Sequence, residues 1–190
     1  MTVITETVMR SSGSITDAVM NSSVPTGYPT VKPAIVFVLR VDDVTSFQDV
    51  HNGATMNLFT VSSGSIQSVP GFEPAFKGDI KFAADWFSFD ADGKHGRMDF
   101  KGVARTKEGH SIDIQYKGVL KLAPQVKMAL GGHPGAKTNP FGFSTGYSTY
   151  IVSDESLKFL ENSIFATNSR ISTSTYFMAA LLPKAILSVT

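Results

Sequence analysis

The sequence predicts an all-β protein: a single, mostly antiparallel β-barrel of about eight strands with one short helix. Three observations carry that expectation. Two successive runs between Arg97 and Leu120 alternate with a period of two across a short glycine turn. Further apolar runs are separated by glycine and proline punctuation. Charged residues make up only 17% of the chain, while Gly, Ser and Thr are plentiful, a balance that suits a turn-rich β protein.

Taken in order, residues 1–30 are rich in Ser, Thr and Val and hold no sustained period. They read as an N-terminal extension: a flexible arm, an edge strand for a partner, or the contact of a homodimer. The barrel domain is placed at residues 31–190. Ala34 to Val41 is a near-continuous apolar run, the mark of a strand covered on both faces. Thr55 to Val61 and Phe72 to Phe82 read as further strands, with Gly53, Gly64, Pro70 and Gly71 between them. Asp85 to Asp90 is a short strand ending at the turn that reaches Gly93.

The hairpin comes next. From Arg97 to Thr106, Met98, Phe100, Gly102 and Ala104 alternate with Arg97, Asp99, Lys101 and Arg105. From His110 to Leu120, Ile112, Ile114 and Tyr116 alternate with Asp113, Gln115 and Lys117. With Lys107-Glu108-Gly109 as the loop and the glycine left-handed, Phe100 faces Tyr116, Gly102 faces Ile114, Ala104 faces Ile112 and Asp99 faces Lys117. Apolar meets apolar and opposite charges meet. A slip of one residue would destroy both matches. The charged row is a solvated outer face, or it lines the lumen of an inverted barrel.

Ala123 to Gly146 reads as a long connection, and loops of that length are often functional. Ser153 begins the short helix, with Ser153 as its cap and Leu157 and Leu160 facing inward. Asn162 to Arg170 and Thr173 to Leu187 supply the last strands.

Several function classes are excluded by what the chain lacks. It has no cysteine, so disulfides, thiolate catalysis and sulfur-ligated metal sites are ruled out. A formal net charge of +1, with scattered basic residues, gives no reason to expect nucleic acid or a membrane surface as partner. The first residues lack the apolar core of a secretory signal, and no run approaches bilayer length, so a soluble cytoplasmic protein is expected. There is no Gly-x-Ser-x-Gly elbow and no phosphate-binding glycine loop. The four histidines, His51, His95, His110 and His133, are not at metal-ligand spacing, so neither metal nor cofactor is expected.

The run from Phe76 to Asp79 followed by Ala84-Asp85-Trp86, the Arg97–Gly118 hairpin, and Ser153 to Phe165 resemble a known family. It is the domain of unknown function numbered 3237, and the resemblance runs from about Pro33 to the C-terminus. It implies one barrel of lipocalin-like or allene oxide cyclase-like shape, and it brings no established reaction. Where bacterial members carry Gly-Gly-Ala-Asp-Trp, this chain has Phe82-Ala83-Ala84-Asp85-Trp86. With the N-terminal extension and the His133 loop, that departure implies a diverged member of the kind found in fungal natural-product pathways. Small barrels of several families there guide cyclisations and isomerisations without a cofactor.

Three residues are candidates for chemistry. Asp85 is either a carboxylate capping a strand end or a general base with its pKa raised beside an aromatic wall. Tyr116 fills the core or donates a hydrogen bond to a ligand carbonyl. His133, in a glycine-proline loop, is an acid/base group over the barrel mouth or a plain loop residue. Trp86, Phe100, Met98, Ile114 and Phe143 are the candidate substrate-binding residues, with Trp86 read as a plug at one barrel end. Gly102, Ala104 and Gly118 beside the aromatics are expected to leave volume for a ligand. The functional expectation is a cofactor-free isomerase or cyclase acting on a hydrophobic small molecule. The alternative is a non-catalytic binding or carrier barrel.

Overall fold

The computed structural model describes residues 31–51, 53–172 and 175–183, with the backbone alone described for residue 172 and for 175–183. The arm at residues 1–30 lies outside the described residues. Among them, eight strands form a closed barrel in sequence order: β1 (Val31–Phe47), β2 (Thr55–Ser68), β3 (Lys77–Phe89), β4 (His95–Thr106), β5 (Ser111–Lys121), β6 (Ser144–Val152), β7 (Phe165–Ser172) and β8 (Thr175–Pro183). Every neighbouring pair is antiparallel, and β8 returns to β1 with Phe37 opposite Met178, so no sheet edge is left open.

The hairpin register is the one the alternation predicts. Phe100 pairs with Tyr116, Gly102 with Ile114, Ala104 with Ile112 and Asp99 with Lys117. Gly109 has φ +95°, as its place in the loop requires. Met98, Phe100, Ala104, Ile112, Ile114 and Tyr116 are buried, while Arg97, Lys101 and Arg105 are exposed. The charged row is therefore the outer face, and Lys117 Nζ lies 3.4 Å from Asp99 Oδ2 on it.

Three of the expected assignments change: a strand pair, a connection and a helix cap. Phe72–Phe82 and Asp85–Asp90 are not two strands but parts of one, β3, which begins only at Lys77. An extra residue between Ile80 and Phe82 shifts its register on β4: Ile80 pairs with Ala104, but Phe82 pairs with Val103. That bulge interrupts the alternation and makes one strand look like two. The connection from Ala123 to Gly146 is not structureless. It holds helix α1 (Pro124–Leu130), which buries Val126 and Ala129, and then the first residues of β6. The short helix after β6 is a 3-10 helix (Glu155–Leu160) capped by Asp154, whose carboxylate accepts from the Ser156 N–H, rather than by Ser153. It buries Leu157 and Leu160 as expected.

The core is one cluster that fills the lumen with aromatic and branched side chains. The glycines leave no room beside the rings. A Cβ on Gly102 would stand 2.7 Å from Ala83 Cβ and 3.1 Å from Phe100 Cζ. On Gly118 it would collide with the Tyr116 ring and with Met98 Cε at 2.9 Å. The rings lean along their strands and lie on the glycines, so the small residues accommodate aromatics instead of opening a pocket. Gly118→Ala is therefore expected to lower unfolding free energy by about 1–3 kcal/mol through overpacking, read as a fall in urea midpoint at unchanged m.

Candidate functional site

The bulge in β3 sets the site. Before it, Gly78 and Ile80 face inward; after it, Ala83 and Phe87 do, with Asp85 between them facing the lumen, while Ala84 is buried as well. Asp85 lies in the middle of a strand and caps no strand end. Trp86 turns outward, opposite Leu58, and is 38% exposed. It neither plugs a barrel end nor lines the cavity, which corrects that expectation.

The Asp85 carboxylate accepts the Asp99 N–H at 2.9 Å. At this point the β3–β4 ladder skips from Asp85↔Phe100 to Ser88↔Arg97, so the side chain supplies the acceptor that the partner strand does not. Burial pushes the Asp85 carboxyl up to about 7; the Asp99 hydrogen bond opposes the shift and the Asp99 charge adds to it. Asp85 borders a cavity of about 20 Å³, lined among the described residues also by Phe59, Val61, Met98, Phe100 and Ser169. Such a space holds about one water molecule.

Several hydroxyl groups are buried in the barrel, and Ser169 shares the cavity with this carboxyl. Tyr116 Oη lies 3.1 Å from Ser144 Oγ, and the buried Thr167 stands beside the same phenol. Burial raises the Tyr116 pKa and the Asp85 charge adds to the effect, so the two groups lie within electrostatic reach. Ser148 and Tyr150, also buried, bond to each other at 2.9 Å. Asp85, Tyr116, Met98 and Phe100 thus share the lumen. Ile114 is packed in the core away from the cavity, and Phe143 is half-buried against the core. His133 is exposed; its Nδ1 accepts the Gly135 N–H at 3.0 Å, and it lines neither the Asp85 cavity nor the barrel mouth. Ser144, Thr167 and Ser169 were not singled out from sequence, because isolated hydroxyl residues carry no pattern.

The fold also brings ligand atoms of Asp90, Asp92 and His95 within 4.8 Å at the β3–β4 turn, a grouping that linear spacing does not show. Arg97 already binds Asp90 through two bonds of 2.7 and 3.0 Å, and Lys94 stands 3.9 Å from Asp92. These cations compensate the acids. Among the described residues, no helix is long and apolar enough to cross a membrane.

Because its pKa is raised, Asp85 binds its proton more tightly folded than unfolded. It costs nothing below about pH 4, and its penalty grows as pH rises through 7. Asp85→Asn keeps an acceptor for the Asp99 N–H and removes the charge. The variant is expected to gain on the order of 1–3 kcal/mol over wild type between pH 5 and 8, measured by urea unfolding across that range.

With this geometry in view, comparison with known proteins is direct. Residues 29–181 match the family model for "Protein of unknown function (DUF3237)", and the chain belongs to that family. No curated protein matches it. A conserved protein of unknown function from Rhodopseudomonas palustris is similar at TM-score 0.69 and 13% identity, over 83% of this chain and 99% of that one. A β-barrel-like protein from Acinetobacter baumannii AYE is similar at TM-score 0.65 and 16% identity, over 85% and 99%. An enzyme from Penicillium herquei is similar at TM-score 0.53 and 16% identity, over 84% and 98%. At these identities the likeness is one of fold.

Proposed function

We propose that this barrel is a cofactor-free isomerase or cyclase acting on a hydrophobic small molecule, in natural-product metabolism, with Asp85 as the group that moves the proton. The observation that carries the reading is an inward-facing carboxyl with a pKa of about 7, bordering a cavity in a lumen that otherwise excludes water. A base poised near neutral pH is efficient in both directions of transfer. The ionised Asp85 takes a proton from an acidic carbon or hydroxyl of the substrate and returns it at a second position. Atoms and electrons balance without a cofactor. The hydroxyls of Ser169 and Tyr116 are the donors that polarise a substrate oxygen as charge builds on it. Met98 and Phe100 hold the reacting end against the carboxyl, which is entropic positioning. His133 takes no part in this mechanism. That one structure of this fold is an enzyme favours catalysis over carriage. A carrier holding its cargo in the lumen is disfavoured by a cavity of only about 20 Å³.

The test is deuterium uptake from D2O into a panel of apolar enolisable ketones by the full-length protein, read by mass spectrometry. Uptake is expected to rise with pH around a midpoint near 7, the Asp85 value, since the ionised form is the base. Asp85→Asn is expected to lower the rate about 10²–10⁴-fold, and Tyr116→Phe less. Wild-type rates in Asp85→Asn would remove the assignment. Ligands recovered from native mass spectrometry chemically unchanged and without deuterium would favour the carrier.

A further inference from the structure

A second cavity lies at the barrel end that α1 covers. It measures about 340 Å³ and is walled by Asn57 and Phe59 of β2, Phe89 of β3, and Leu122, Lys127 and Leu130 around α1. That volume and that lining, mostly apolar with a few polar groups, are those of small-molecule sites. Phe59 also lines the Asp85 cavity, so the two cavities share one wall residue. Its ring is braced edge-on against Phe87 at 5.8 Å, and Phe87 against Phe89 at 4.8 Å.

The polar groups of this wall are unequal. Asn57 has a buried Oδ1 with no hydrogen-bond partner, an acceptor that asks for a donor. Lys127 projects from the last turn of α1 over the β3–β4 turn, its Nζ 3.7 Å from where a Gly93 Cβ would stand. The acids of that turn are engaged elsewhere, Asp90 by Arg97 and Asp92 by Lys94. Lys127 is left as a cation on the rim of an apolar cavity, where an anionic group gains most from a charge-assisted contact.

We infer that the mouth recognises a flat apolar molecule carrying an anionic head group. The ring system lies between Phe59, Phe89, Leu122 and Leu130, the head group meets Lys127, and a hydroxyl of the ligand donates to Asn57 Oδ1. The inference rests on the reading of Asp85 as the reactive centre, which it deepens by naming what the mouth selects. The body of the ligand stays outside the filled lumen, and only its reacting end passes Phe59.

The probes are 1-anilinonaphthalene-8-sulfonate and its uncharged counterpart N-phenyl-1-naphthylamine, titrated by fluorescence into the full-length protein. The sulfonate is expected to bind more tightly than the neutral dye, with an affinity that falls as salt rises. Lys127→Met is expected to weaken the sulfonate about 5-fold or more and to leave the neutral dye within about 2-fold. Lys107→Met, an exposed cation of the β4–β5 loop at the other end of the barrel, is expected to change neither. Equal loss for both dyes in Lys127→Met, no loss for the sulfonate, or an equal response in Lys107→Met would overturn the site. A cooperative urea transition in each variant excludes dye binding to unfolded chain. If Lys127→Met fails this test while Asp85→Asn still abolishes deuterium uptake, the recognition site falls and the base stands; the reverse pair of results removes the base and keeps the site.

Discussion

Between Ile80 and Phe82 the β3–β4 ladder takes up one extra residue, and the side chains beyond that point exchange faces. With unbroken alternation from Gly78, Trp86 would enter the lumen and Asp85 would meet solvent. The bulge reverses this, and the consequences follow in order. A carboxyl enters an apolar interior, its charged form loses hydration, and its pKa climbs toward neutrality. The indole goes outside. Adjacent strands are irregular nearby, for β1 shifts register around Val41 and its Asp42 carboxylate accepts the Ser62 N–H of β2. A closed barrel needs such breaks to curve, and here one of them also turns a carboxyl inward.

The lumen surrounds that carboxyl with aliphatic side chains, Met98, two rings and the hydroxyl of Ser169. Phe100 lies on Gly102, and Tyr116 lies across Gly118 toward Gly146 of β6, so the interior is near close packing. A ligand of metabolite size does not fit whole beside Asp85. Either several rings move, each losing its contacts, or the bulk of the ligand binds at the mouth and only a small group reaches the carboxyl. The second arrangement disturbs fewer rings and begins at Phe59, the residue that lines both cavities. It also leaves the carboxyl in a low-dielectric surrounding, where its interactions with neighbouring polar groups are strongest.

How much of this was legible in the sequence varies by element. The β4–β5 hairpin was readable to the residue, because its alternation, charges and turn glycine agree. β6 was not, because its inward face mixes the hydroxyls of Ser144 and Ser148 with Tyr150 and Val152, while Tyr147 and Ile151 point outward and are exposed. A pattern that places hydroxyls inside cannot be recognised by looking for apolar alternation. α1 is short and buries only Val126 and Ala129, too few for a helical stripe. Asp85 was reached through its place in the Ala-Asp-Trp run, but its direction depended on the bulge, which no residue between Ile80 and Phe82 announces. The mouth draws on β2, β3 and α1 at once, so it exists only after closure.

Asp99 ties the outer face to the inner one. Its backbone N–H donates inward to Asp85 at 2.9 Å, while its carboxylate lies toward Lys117 on the outside at 3.4 Å. The two act on Asp85 with opposite signs, since the hydrogen bond favours the ionised form and the Asp99 charge disfavours it. Lys117 pairs with that carboxylate on the outer face, so the surface pair read from the hairpin register sits on the residue whose N–H and charge both reach Asp85. Burial remains the largest effect. An Asp85 exposed by an opened lumen would return toward an ordinary carboxylate, so the closed packing around the group is what holds its pKa up.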